Sequence, residues 1–298
     1  MSAYNKAVLS IIIVMLIWGS SFTVTKIAVS QLPPIWFAFL RFTVASLILL
    51  CLYFFRKRPA GPKPPLALLV WMGLSGVSFY YLFFNLSLRY TSASTGALLQ
   101  GFIPVIIAVM AAIFLKERIS KRQLAGILIS VAGVAVVGFI AAPEAASASY
   151  PLLGNTLMMV CILSWSVYTI LSKKTADADP IYVTTWVTVI GTLLLIPAVL
   201  VEAGGHPPPL PSLQGGISIV YLGAFASALC YVWYNGAMQH LSAAQVGNFL
   251  NLDPVAGAGI AMLFLHEKIS PLQVGGCLLV VAGVWLSGSK DSSPSETA

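Results

Sequence analysis

The 298-residue chain carries 8% charged residues and 58% from the apolar set, where soluble domains carry about 25% charged residues. Such a composition excludes a water-facing surface for most of the chain and points to an all-α integral membrane protein. The formal net charge of +7 does not indicate nucleic acid, because the basic residues cluster in short connections such as Arg56-Lys57-Arg58 and Lys116 to Arg122, as topology signals do.

In chain order, ten apolar runs approach the roughly 20 residues that a helix needs to cross about 30 Å of hydrocarbon. They fall at about 8–28, 34–55, 66–89, 93–115, 121–141, 150–172, 180–201, 213–238, 243–265 and 271–288. The first follows Lys6 but continues through Trp18 to Lys26 with no small-residue cleavage site, so it is expected to be a retained helix. Proline-rich punctuation at 33–34, 59–65, 143–151 and 206–211 separates runs. Cys51, Cys161, Cys230 and Cys277 lie singly in apolar runs and read as small buried residues, neither zinc ligands nor a disulfide framework.

Residues 85–134 recur at 235–284 with a constant offset of 150 and no gap. Asn85 aligns with Asn235, Pro104-Val105 with Pro254-Val255, Glu117 with Glu267, and Ala132-Gly133-Val134 with Ala282-Gly283-Val284. A repeat of this length predicts a duplicated unit. Ser120 and Gln123 have capping-box spacing, repeated by Ser270 and Gln273. Glu117 and Glu267 are expected to be structural residues at tight turns.

With a cytoplasmic amino terminus, the inside connections hold most of the Lys and Arg residues, as the positive-inside rule requires, and both termini are inside. A five-helix unit then enters the membrane in opposite senses in its two copies. The expected architecture is ten transmembrane helices forming two inverted five-helix repeats around a central cavity, the arrangement of secondary transporters. The first repeat spans 1–142, an outside linker 143–149, the second repeat 150–289, and a disordered cytoplasmic tail 290–298.

The chain resembles the drug/metabolite transporter superfamily, in its EamA-like group of ten-helix exporters, and is similar to the YddG-type aromatic amino-acid exporters. The resemblance covers about residues 7–288 and rests on Trp18-Gly19-Ser20-Ser21-Phe22 with Lys26, on Pro34 with Arg41-Phe42, and on the Phe-Leu-x-Glu-x-Ile-Ser turns at 114–120 and 264–270. It implies a pseudosymmetric basket with alternating access that exports small metabolites, most of all neutral and aromatic amino acids, across a bacterial-type inner membrane. Multidrug or quaternary-cation export and sugar-phosphate exchange are the alternatives within the superfamily. A passive channel or an intramembrane enzyme is the alternative from another class. No cofactor, metal or nucleic acid is expected, and the partners are a small-molecule substrate and the bilayer, with the chain a monomer or homodimer.

Polar side chains inside spans should point away from lipid. Tyr81 and Asn85 share a helix face, as do their copies Tyr231 and Asn235; these amides either meet a zwitterionic substrate or bond between helices. Trp18 and Ser21, matched at an offset of 147 by Trp165 and Tyr168, supply aromatic surface for apolar contact and for cation–π attraction of about 0.5–2 kcal/mol. Gln245, Asn248 and Asn251 form a stripe expected to line the pathway. Asp253 is a deep carboxylate that serves an ammonium group, a proton or a neighbouring helix. Lys26 and Arg41 either snorkel to the interface or bind a carboxylate. Pro104 and Pro254 are expected to act as hinges. Gly126 with Gly133, and Gly276 with Gly283, are expected to permit close helix packing.

Overall fold

A computed structural model describes residues 1–29, 31–56, 61–87, 90, 99–140, 150–206, 209–265 and 271–288. Among the described residues all regular structure is helical. The helices are α1 (Ala3–Val29), α2 (Pro34–Phe55), α3 (Leu66–Ser87), α4 (Ile103–Leu115), α5 (Lys121–Ile140), α6 (Pro151–Lys174), α7 (Pro180–Ala203), α8 (Leu213–Ala237), α9 (Ala243–Phe249), α10 (Leu252–Leu265) and α11 (Pro271–Gly288). Six spans, Ala3–Ser21, α2, α3, Leu152–Lys174, α7 and α8, are long and apolar enough to cross a membrane, and α4 and Pro271–Ser287 are shorter apolar helices.

Large apolar side chains such as Leu47, Phe54, Trp71, Leu200 and Trp285 are exposed, while Ser130, Ser166, Thr184, Thr188 and Asn248 are fully buried. A soluble protein arranges these the other way round. The pattern fits a hydrocarbon solvent, in which polar groups must find partners inside the bundle.

The helices start where proline and caps place them. Pro34, Pro151, Pro180 and Pro271 each occupy the first helical position, where the absent N–H is not needed. Ser120 and Gln123 form the predicted capping box, with Gln123 N donating to Ser120 Oγ at 3.2 Å and Ser120 N to Gln123 Oε1 at 3.0 Å. The corresponding 266–270 turn, with Glu267 and Ser270, lies outside the described residues.

Side chains of neighbouring helices close the helix ends. Glu202, at the end of α7, accepts from Ile35 N and Trp36 N at the start of α2. At the opposite end Asp179 accepts from Ile181 N and Tyr182 N at the start of α7 and pairs with Arg56, just past α2, at 2.7 Å. Glu117 accepts from Ala243 N and Ala244 N at the start of α9, which makes it the structural residue its position suggested. Lys173 donates to the Met238 and Leu241 carbonyls just past α8, at 2.7 and 2.8 Å.

Close packing follows the glycines. A Cβ on Gly126 would lie 2.6 Å from the Gly283 carbonyl oxygen, and one on Gly133 would lie 2.6 Å from that of Gly276, so α5 and α11 touch backbone to backbone within one chain. Gly73 on α3 meets Gly191 on α7 in the same way, and Gly223 on α8 meets Val44 on α2. Both α3 and α8 contain a π-helical stretch, Leu74–Phe79 and Leu222–Leu229. The wider turn ends directly before Tyr80-Tyr81 and Cys230-Tyr231.

Two sequence expectations are corrected. The run at 243–265 is not one helix, because it breaks at Leu250-Asn251, where Leu250 N, Asn251 N and Asp253 N donate three residues back. In the other half residues 99–100 are helical and a turn at 101–102 precedes α4, one position along from the break at 250–251 once the offset of 150 is applied. Replacing Gly126 with Val should force α5 and α11 apart and lower stability by about 1–3 kcal/mol, read as an earlier thermal transition of the purified chain in detergent; an unchanged transition would show that the close seam is not required.

Candidate substrate site

The π turns of α3 and α8 carry tyrosines into the middle of the bundle, where they meet aromatic side chains of α1 and α6. Trp18 and Trp165 stand edge to face with ring centroids 5.4 Å apart. Tyr231 lies 6.0 Å from Trp18, 5.8 Å from Trp165 and 5.7 Å from Tyr168. Phe42 bridges Tyr81, at 4.8 Å, and Tyr231, at 6.0 Å. Trp18, Trp165, Tyr168 and Tyr231 are all buried. The structure thus brings together the aromatic residues singled out in the sequence, and it adds Tyr80, Tyr234 and Phe42. Tyr234 was legible in principle, since it follows Tyr231 by three positions and shares its helix face.

The polar edges of this cluster are unevenly satisfied. Trp18 Nε1 donates to the Ala226 carbonyl at 2.8 Å. The matching carbonyl, Gly76, accepts instead from the Tyr231 hydroxyl at 2.9 Å, and Trp165 Nε1 has no partner among the described residues. Asn235 Nδ2 lies within 3.0 Å of Tyr168 Oη, Thr184 Oγ1 and the Tyr231 carbonyl, while its Oδ1 has no partner among the described residues. Asn85 Nδ2 donates to the Pro34 carbonyl. Each amide therefore makes an interhelical bond, and Asn235 also keeps a free acceptor. Ser21 donates to the Trp18 carbonyl of its own helix.

Arg41 does not snorkel. It is 4% exposed, its Nε donates to Ser227 Oγ at 2.7 Å, and its guanidinium carbon lies 5.0 Å from the Tyr81 ring centre and 5.5 Å from that of Phe42. The Lys26 side chain lies outside the described residues. Asp253 sits in the first turn of α10, where the helix dipole favours a negative group, and its buried Oδ1 has no partner among the described residues.

The expected pathway stripe dissolves, because its polar atoms are committed elsewhere. Gln245 closes a capping box with Ser242 at the start of α9. Asn248 Oδ1 accepts from Ser130 Oγ at 2.6 Å, and its Nδ2 donates to Ser287 Oγ. Asn251 Nδ2 donates to Ser130 Oγ at 2.9 Å. Asn248 and Asn251 are buried and stitch the region of the break to α5 and α11. Sequence spacing showed a common face but not which neighbour that face meets.

The hinge expectation is corrected too. Pro104 is the second residue of α4 and Pro254 the third of α10, positions where no intrahelical donor is required. Neither proline interrupts a hydrogen-bond ladder. The grooves of about 510 and 390 Å³ lie along α8 among Leu213, Ile217, Val220, Tyr221 and Phe225; their apolar, open lining suits acyl chains and is distinct from the aromatic centre.

Comparison with known proteins fits this geometry. The sequence profile of the EamA-like transporter family matches residues 5–139 and again 152–289. An uncharacterized transporter of Archaeoglobus fulgidus is 31% identical over 288 residues, covering 96% of this chain and 98% of its own. A probable terminal-alkyne amino-acid exporter of Streptantibioticus cattleyicolor is 27% identical, covering 95% and 93% of the two chains. A probable amino-acid metabolite efflux pump of Salmonella typhimurium is also 27% identical, covering 93% and 92%. A protein known from its crystal structure shares the fold with a TM-score of 0.80 at 20% identity, over 94% of this chain and 97% of that one.

Substituting Pro104 or Pro254 by Ala should cost about 0.4–1 kcal/mol by freeing the unfolded chain, measured by thermal unfolding in detergent. A gain in stability would instead mean that these prolines strain the helices and would restore the hinge.

Proposed function

We propose that this chain, which belongs to the EamA-like transporter family and is a multi-pass membrane transporter, moves small neutral or zwitterionic metabolites, amino acids with aromatic side chains foremost, outward by alternating access. The observation that carries the reading is the buried central cluster of Trp18, Trp165, Tyr168 and Tyr231, supplied by helices of both sequence repeats and edged by polar atoms without partners among the described residues. Flat aromatic walls offer apolar contact to a side chain and an electron-rich face to an ammonium group. The two relatives named for amino-acid export or efflux support the same class of substrate.

The two halves, 1–142 and 150–289, are read as inverted five-helix repeats giving ten transmembrane passes around a central site. Paired contacts support this: the Gly126–Gly283 approach becomes Gly133–Gly276 when the offset of 150 is applied in both directions. The Gly73–Gly191 approach similarly becomes Gly223–Val44 through the offsets of 150 and 147. The excess of Lys and Arg in alternate connections supports a reading with both termini in the cytoplasm of a bacterial-type inner membrane. The packed rings suit a state closed at its centre, from which the halves part on either side in turn.

The reading is tested by uptake of radiolabelled phenylalanine, tyrosine and leucine into liposomes holding the purified chain. Saturable uptake with mutual competition is expected. Trp165→Phe removes an indole N–H that has no geometric hydrogen-bond partner among the described residues, so beyond a cost of about 1–3 kcal/mol for the smaller buried ring it should raise KM for aromatic substrates about fivefold, equivalent to one lost hydrogen bond of about 1 kcal/mol. Uptake no greater than that of empty liposomes would remove the amino-acid reading.

A further inference from the structure

The aromatic centre holds two charged side chains that the pseudosymmetry does not account for. Arg41 has Thr188 at the equivalent position of the second half, and Asp253 has Ile103 at the equivalent position of the first. The aromatic positions recur between halves, as Trp18 and Trp165 do, whereas these two charges do not.

Neither group has an ion-pair partner among the described residues. Among the described residues Arg41 makes a single hydrogen bond, from Nε to Ser227, and no ion pair. The rings of Tyr81 and Phe42 attract the positive charge but cannot accept from the in-plane N–H groups of the terminal nitrogens, which point outward from a guanidinium as a fork. A buried guanidinium with its fork free is costly unless an anion meets it. Asp253 presents the opposite case: a buried carboxylate oxygen without a donor and with no protein cation paired to it among the described residues.

The two groups approach the aromatic cluster from different helices, Arg41 from α2 and Asp253 from α10. Tyr80 lies between Tyr81, edge to face at 5.0 Å, and Trp165, tilted at 5.0 Å, so the positive end of the site leads through these rings toward the tryptophans. On the negative side, α10 is held against α1 where Gly19, next to Trp18, meets Ala256 and Gly257.

We propose that Arg41 and Asp253 are the two poles of the substrate site, the Arg41 fork taking the carboxylate of an amino acid and Asp253 its ammonium group, with the rings of Tyr80 and Tyr81 supporting the molecule between them. This rests on the transport reading above and narrows it: the substrate is a free α-amino acid with both charged groups intact, and an amine or an acid alone satisfies one pole and leaves the other buried and bare. Ser227 positions the guanidinium by holding Nε, which turns the terminal nitrogens toward the ligand.

The test uses the full chain, in detergent and in liposomes, with L-phenylalanine, its methyl ester and its N-acetyl derivative as probes. Wild-type protein should bind phenylalanine, read as a thermal shift and as competition for uptake, about 10- to 100-fold more tightly than either capped compound, the worth of a hydrogen bond to a charged group. Arg41→Gln should abolish discrimination between the acid and its ester while keeping that against the N-acetyl compound, and Asp253→Asn should do the reverse. Arg41→Lys keeps the charge without the fork, and should give an intermediate loss; it carries the test if Arg41→Gln elutes aggregated. Discrimination unchanged in the Arg41 and Asp253 variants, with phenylalanine still taken up, would overturn the two-pole site and leave the transport reading standing. The predicted binding pattern without uptake would uphold the site and remove transport of amino acids. Absence of both binding and uptake in the wild type would overturn both.

Discussion

Every helix in this bundle has to close its own ends, and side chains from other helices do much of that closing. The first amides and last carbonyls of a helix have no partners within it, and near hydrocarbon water cannot be relied on to supply them. Glu202 and Asp179 cap α2 and α7 at opposite ends of an antiparallel pair, Glu117 caps α9 and Lys173 gathers the carbonyls past α8. A charged residue spent in this way fixes which helix lies beside which, so the few charges of the chain are as much connectors as topology signals. The glycine seams then set how close the connected helices come.

Against that scaffold the centre of the molecule stands out by its incompleteness. Many polar atoms are matched: Ser78 Oγ donates to the Gly191 carbonyl at 2.9 Å, and Thr169 shares a 2.7 Å hydrogen bond with Tyr234, while Trp186 Nε1 and Thr188 Oγ1 on α7 have no partner among the described residues. Around the aromatic cluster an indole donor and an amide acceptor have no partner among the described residues. Arg41 and Asp253, which have no charged counterpart in the other half, make no ion pair among the described residues. Function in a duplicated fold is read most clearly from what the duplication failed to copy.

Much of the fold was legible because membrane insertion writes it in composition. The starts of α2, α3, α5, α7, α8, α9 and α11 coincide with expected run starts, since proline, capping serines and the end of an apolar run mark them locally. The central aromatics were legible because both copies carry them at one helical face. What could not be read depends on partners distant in sequence. The spacing of Gln245, Asn248 and Asn251 is the same whether the amides meet a substrate or Ser130 and Ser287, and only the packing of α9 beside α5 and α11 decides it. Pro104 and Pro254 looked like interior prolines because nothing local announces that the helix stops just before them. Glu202, the cap of α2, escaped notice because a cap that crosses 166 residues to Trp36 leaves no local pattern, whereas Asp179 caps its own helix beside Pro180 and was readable locally.

The break at Leu250-Asn251 divides what looked like one rod into two pieces with different moorings. The short piece, α9, is tied to α5 and α11 through Asn248 and at its start to Glu117, whereas α10 rides on α1, where Gly19 meets Ala256 and Gly257. The joint between them is made of short three-residue backbone bonds, which hold less regular helix than the ladder on either side. A swivel of α1 together with α10 can therefore be absorbed at two residues, leaving the α5–α11 seam as a fixed keel. Asp253 lies two residues past that joint, so a swivel there would also swing its carboxylate.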